Sequence, residues 1–301
     1  MSSGSATIVP SCCTPATARY LRSMQFADLE LSRRLERTEA TASTRFVEAR
    51  ARVSPASGAT WIEVVGAYAM YDGPDSPISQ TFGLGLFQDP GDADFDMIER
   101  FFRERGAPVF HEVSPLAGLA VAAQLSERGY RPVEFTSVMY RPIGPGSEPL
   151  AQPNPAITVR PIRSDEGPVW ADLTVRGWTT EHPELADYLR DLSAVSTERQ
   201  DTVSVLAELD GAPVGSAALC LHGGVALLAG ACTVPEARRR GAQLSLLHYR
   251  LSWAVGQGAD LAMMGALPGS PSQHNAERHG FRVAYTRIKW GRASSSNQAV
   301  G

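Results

Sequence analysis

Apolar and polar positions fall into two stretches of regular periodicity, separated by a run that has none. In the later stretch ITVRPI reads as a strand, and GPVWADLTVRGW and ELADYLRDLSAV carry apolar residues at helical spacing. SVLAEL, PVGSAALCL and VALLAGACTV follow as strands. Leu244, Leu247, Leu251, Ala254 and Val255 then mark one helical face, LAMMGAL is a buried strand, and a helix in SQHNAERHGF leads to the strand VAYTRIKW. The order is β-α-α-β-β-β-α-β-α-β. The earlier stretch is less complete. A helical opening over residues 17–52 precedes strands TWIEVVGAYAMY and SQTFGLGLF, helix DFDMIERFFRER, strand PVFHEV, helix LAGLAVAAQLSER and strand VEFTSVMYR.

The intervening run, PIGPGSEPLAQPNPA, holds five prolines and reads as a linker. The segments on its two sides end alike. QLSERGYRPVEFTSVMYRP closes the first and NAERHGFRVAYTRIKWGR the second, so that Gly129-Tyr130 corresponds to Gly280-Phe281. In each, a short helix carrying Glu-Arg stops at a glycine suited to a left-handed C-cap, and an aromatic opens the next strand. The chain reads as two copies of one unit. The terminal ASSSNQAVG is small and polar, as a disordered tail is.

Charge narrows the partners. A net charge of −4 and a pI near 5.9 give no basic field of the kind that gathers nucleic acid, so any anion site is local. Lys289 is the single lysine among the basic residues, a bias that fits a GC-rich bacterial genome. Residues 215–234 carry no Asp, Glu, Lys or Arg over about the length of a bilayer span, but His222-Gly223-Gly224 cuts them into two buried strands, and no membrane association is expected. Cys12, Cys13, Cys220 and Cys232 match neither a metal site nor a disulfide framework. The N-terminus lacks the basic opening and apolar core of a signal peptide, and a cytoplasmic protein without a metal is expected.

The candidate chemistry lies in VPEARRRGAQL. A helix that starts directly after a strand and a tight turn aims several unpaired N–H groups and the positive end of its dipole at one spot. Gly241 lets a ligand approach the backbone there, and Arg238, Arg239 and Arg240 add donors suited to phosphate. Neither GxxxxGK nor GxGxxG is present. The spacing resembles the acetyl-CoA signature of the GNAT (GCN5-related) N-acetyltransferases, with Arg238, Gly241 and Gln243 on its three defined positions; Gln243 stands where the family has a small residue. Val234-Pro235 before the turn, and Asn275 followed by a short helix and Gly280-Phe281, extend the likeness. The first copy is acidic at the equivalent place, QDPGDADFD, which disfavours a second CoA.

The resemblance implies an α/β (α+β) fold of two GNAT-like domains, each a mixed, mostly antiparallel sheet flanked by helices. A degenerate domain would span residues 17–143, a linker 144–156, a catalytic domain 157–292 and a tail 293–301. It implies acetyl-CoA or another acyl-CoA as co-substrate, with pantetheine along Cys232, Thr233 and Val234, pyrophosphate at Arg238, Arg239, Arg240, Gly241, Ala242, Gln243 and Leu244, and Asn275 beside it. The activity implied is transfer of an acetyl group to an amine, with a small molecule as acceptor, by a monomer or homodimer. The family often supplies an acid from a tyrosine four residues before the Gly of the GF pair, and this chain has Ala276 there. Tyr285 and Ser272 are the candidate replacements. Glu208, or Glu181 and His182 in the loop GWTTEHPEL, is the candidate base, and Trp178 and Tyr188 are candidate walls of the acceptor pocket. Cys220 and Cys232 read as core residues. Ala276 keeps open an alternative, a protein that holds acyl-CoA as sensor or scaffold without turnover.

Overall fold

In a computed structural model the structure describes residues 26–179 and 183–292. The expected tail, the start of the expected opening helix, Cys12, Cys13, Glu181 and His182 lie outside them. The described residues form one 11-stranded sheet with helices on its faces. The first half supplies α1 (Leu29–Val53), β1 (Thr60–Val64), β2 (Ala67–Tyr71), β3 (Thr81–Phe82), α2 (Asp92–Arg103), β4 (Phe110–Val113), α3 (Leu119–Glu127) and β5 (Arg131–Pro142). The second supplies β6 (Ile157–Pro161), α4 (Gly167–Trp178), α5 (Ala186–Thr197), β7 (Thr202–Leu209), β8 (Ala212–His222), β9 (Val225–Thr233), α6 (Ala242–Gly256), β10 (Leu261–Ala266), α7 (Pro271–Arg278) and β11 (Arg282–Gly291). Eight of the ten neighbouring strand pairs are antiparallel; the parallel pairs are β3 with β4 and β9 with β10.

The apolar run at 215–234 is a buried hairpin, β8 and β9, closed by Gly223 at φ +53° and Gly224 at φ +77°. No helix among the described residues is long and apolar enough to cross a membrane. Two expectations in the first half are corrected. Residues 60–71 are the hairpin β1–β2 rather than one strand, because Val65 and Gly66 turn the chain at φ +45° and +81°. A two-residue turn sets Val64 opposite Ala67 on one face, so the buried set passes from even to odd positions there, and in a run this apolar on both parities that change of phase is easily missed. Of residues 79–87 only Thr81–Phe82 is strand, since Gly83 and Gly85 take φ +82° and +75°, and a Cβ on Gly85 would lie 2.4 Å from Val121 Cγ2.

The strand order is β1-β2-β3-β4-β11-β5-β10-β9-β8-β7-β6. The last strand of each copy has therefore crossed into the other. β5, from the first copy, pairs with β10 of the second, and β11, from the second, pairs with β4 of the first; β5 and β11 pair with each other along the middle of the sheet. The two copies share one sheet instead of building two. The proline-rich run that follows β5 carries the chain from the centre of this sheet to its far edge at β6, with Ile143 and Leu150 packed on the core and Arg141 donating to the carbonyls of Glu148 and His279.

The repeated ending is a matched pair of caps. Tyr130 N–H bonds Leu125 C=O and Gly129 N–H bonds Ser126 C=O; Phe281 N–H bonds Ala276 C=O and Gly280 N–H bonds Glu277 C=O. Both sets are the Schellman pattern, with the glycines at φ +83° and +79° and both aromatics buried.

Candidate functional site

β9 and β10 pair only from Val225–Leu227 to Leu261–Met263, and beyond that row they splay apart. Over the splay β9 keeps its partner β8 on one side, with a register break opposite Ser216–Ala218 and Gly230 at φ +59°, while its other edge has no strand beside it. A cavity of about 640 Å³ occupies the opening. It runs from Gln243 on α6 and Ser272 and Asn275 on α7, past Ala229 and Gly230, to Thr202 and Cys220 on the far side of β9.

At one mouth the chain leaves β9, makes a short turn through Pro235–Ala237, and enters α6 through the arginine run. Arg239 is left-handed at φ +61°, a conformation that costs an L-residue about 1 kcal/mol, and Gly241 caps the helix at φ +93°. Ser245 N–H is the first to bond within the helix, to Gly241 C=O at 3.1 Å, so the N–H groups ahead of it point out of the helix end. Arg238, Arg239 and Arg240 are exposed around that end. The turn is braced from both sides. Asn154 Nδ2 donates to Arg240 C=O at 2.9 Å, and Arg238 Nη2 donates to Gly177 C=O at 3.2 Å. Ala242 is buried and seats the helix, whereas Gln243 spans to the strand end, its Nε2 donating to Thr233 Oγ1 at 3.0 Å. The equivalent helix of the first copy, α2, fills its own end: Asp94 Oδ2 accepts from Gly91 N–H at 2.8 Å, and Arg128 binds Asp92 and Asp96.

The candidate catalytic residues are dispersed. Ser272 lines the cavity, and buried Ala276 stands beside it. Tyr285 does not line it. It travels with exchanged β11 into the first copy, where its buried hydroxyl donates to Glu36 Oε1 at 2.9 Å, and burial pushes its phenol well above the usual range. Glu208 does not line it either, since it faces Arg160 on edge strand β6 and shares that guanidinium with Glu166. Trp178 lines the cavity and is half exposed; Tyr188 sits by Arg50, Asp72 and Asp191 outside the lining, with burial pushing its phenol up. Cys232 Sγ donates to Leu173 C=O, and burial pushes the Cys232 thiol up and the Cys220 thiol to about 11, so neither is a thiolate at neutral pH.

Three charged residues of the lining escaped the sequence reading. Arg250 on α6 is 4% exposed and braces the register break, with Nη1 donating to Ala218 and Ala229 carbonyls at 3.3 and 3.4 Å; burial lowers its pKa to about 10. Arg199 is held bidentately by Asp201 at 3.0 and 2.7 Å. Glu39 on α1 receives Arg287 Nη1 and Nη2 at 2.7 and 3.0 Å. Each lies in a helical or turn segment where charge is the ordinary surface pattern, and only tertiary packing turns it inward.

No family model and no curated protein matches the sequence. Solved structures do. A GCN5-related N-acetyltransferase from Kribbella flavida superposes with a TM-score of 0.61 at 20% identity, over 85% of this chain and 97% of that one. A conserved protein of unknown function from Staphylococcus epidermidis gives 0.52 at 8% identity, over 77% and 92%. A tandem GNAT protein from the clavulanic acid biosynthesis pathway gives 0.51 at 15% identity, over 76% and 79%.

Proposed function

The chain has the GNAT fold in its tandem arrangement, and from that premise we propose that it is an acyl-CoA-dependent N-acyltransferase that moves an acetyl group to the amine of a small molecule. The observation that carries the reading is one cavity bordered by Ala229–Ala231 on the free edge of β9, by Gln243 in the first turn of the helix that Arg238–Gly241 opens, and by Asn275. An extended chain of amides pairs with a free strand edge, and a pyrophosphate with helix N–H groups and arginines. The residues present fit that ligand: the N–H groups ahead of Ser245 and Arg239–Arg240 for phosphate, the β9 edge running from Ala229–Ala231 in the cavity lining to buried Cys232–Val234 beyond it for pantetheine, and Gln243 and Asn275 flanking it.

The chemistry supplied by the bound thioester is acyl transfer: the amine nitrogen bonds the carbonyl carbon, the C–S bond breaks, and the proton lost by the amine ends on the thiolate sulfur. An ordinary thiol has a pKa of about 8.5, so this leaving group needs little help. Ser272 is the hydroxyl of this chain that borders the groove near Ala276. The second reading, a holder of acyl-CoA without turnover, rests on Ala276, which puts a buried methyl where an acid is often found.

Calorimetric titration with acetyl-CoA tests the proposal. Micromolar binding is expected for the natural protein, weakened about a hundredfold by Gly241→Glu, which sets a carboxylate against the phosphates. Gly241→Ala imposes the same left-handed strain without the charge and should lose far less. Absence of binding by the natural protein refutes the proposal, and binding without thiol release from any amine leaves the second reading.

A further inference from the structure

The far end of the cavity is built by both copies. Thr202 on β7, Cys220 on β8 and Leu227 on β9 are partners in one row across the sheet, the row at which β9 and β10 are still paired. Thr233, where Gln243 anchors, lies six residues along β9, or about 20 Å at the rise of a strand. Over the row lie α5 and, from the first copy, α1, which presents Glu39, Ser43 and Phe46 to the cavity. The walls are mainly apolar, with Ile78, Leu189 and Leu192 beside Phe46.

Two features of this end call for a ligand. Ser193 and Thr202 belong to the cavity lining, and their hydroxyl oxygens are buried with no hydrogen-bond partner among the described residues; Ser193 is 0% exposed. A buried hydroxyl left unpaired is costly, and a polar group entering from the cavity that these two residues line would relieve that cost. The second feature is the carboxylate of Glu39, the one acid among the described lining residues. Its partner Arg287 is shared with Glu36 at 3.3 Å and Glu112 at 2.9 Å, so one guanidinium serves three carboxylates, and two of the roughly four lone-pair sites of Glu39 stay open. Of the two arginines among the described lining residues, Arg199 is neutralised by Asp201, and Arg250 is buried with its donors turned onto the carbonyls of Leu246, Ala218 and Ala229.

Building on the function proposed above, we propose that the first copy reads the acceptor: Glu39 receives the amine of a small, singly charged molecule with an apolar body and a hydroxyl or carbonyl for Ser193 and Thr202. Polyamines and amino sugars, with several charges or hydroxyls, do not match walls of this composition. The copy that binds no CoA thus supplies the acceptor's counter-ion.

The test uses the full chain saturated with CoA, the product thiol, so that no turnover occurs, and follows amine binding by calorimetry. Three probes separate charge from shape: 2-phenylethylamine, the near-isosteric 2-phenylethanol, and spermidine. The amine should bind about tenfold or more tightly than either of the others, a difference of about 1.4 kcal/mol, and Glu39→Gln should erase that advantage without changing the affinity for CoA. Because Glu39→Gln also touches the Arg287 network, Ser43→Leu serves as a second variant, placing bulk one helical turn away on the same wall; it should exclude the amine and spare CoA. Equal binding of amine and alcohol, tighter binding of spermidine, or full amine binding by Glu39→Gln overturns the inference while leaving CoA binding intact. Failure of CoA itself to bind refutes the proposed function, and the inference falls with it.

Discussion

His111 lies on β4 with both ring nitrogens buried and without a hydrogen-bond partner among the described residues, edge-on to Tyr130 at 4.9 Å and Phe95 at 6.2 Å. Burial, reinforced by Arg292 and Arg128, lowers its pKa from 6.5 to about 3. The unfolded chain therefore binds the proton that the folded one refuses, and stability is lost as pH falls through the window from 6.5 to 3. His111→Phe should be more stable by about 1 kcal/mol at pH 7 and should widen its lead as the pH is lowered to 5, as measured by urea unfolding at the two pH values. The same contrast between what a residue is and where it is carried decides how legible the site was. The turn that carries Arg238 and Gly241 into the helix of Gln243, and the helix of Asn275, were readable because each is local and follows from its neighbours in sequence. Tyr285 and Glu208 were not, since the groups they meet, Glu36 and Arg160, are fixed by strand pairings that neither residue's surroundings in sequence disclose.

At the scale of elements, the second copy was read almost intact because each strand and helix there has its own unbroken period, and the glycines stand at its ends. In the first copy Gly66, Gly83 and Gly85 stand inside the apparent strands and turn the chain there at positive φ. The paired caps carry a prediction of their own. Gly129 and Gly280 hold left-handed backbone at φ +83° and +79°; a Cβ on Gly129 has its nearest contact at 3.8 Å, while one on Gly280 meets Arg141 Nη1 at 3.3 Å. Gly129→Ala should cost about 1 kcal/mol from backbone strain alone, and Gly280→Ala more, because it also disturbs an arginine that ties the linker to α7. Denaturant midpoints of the two variants, compared at unchanged slope, check the order.

The whole molecule is governed by the exchange of β5 and β11. Sequence could indicate two copies but not their sharing of a sheet, since either arrangement uses the same strands with the same faces. The exchange makes one cooperative body, and thermal unfolding should show a single transition for the full chain. Cutting the chain between Gly146 and Ser147 tests this. Each half produced alone is expected to aggregate, while the two produced together should reassemble and co-elute at the size of the intact protein on gel filtration. Two soluble, separately folded halves would contradict it.

One unit of a duplicated pair is ordinarily free to decay and vanish. Here it is captive. Shedding the first copy would strip β5 from the flank of β10 and leave β11 with nothing on either side, so the surviving unit would present raw strand edges to every other chain in the cell. The crossing acts as a ratchet: with the two ends traded, neither unit can be lost without baring the strands of the other.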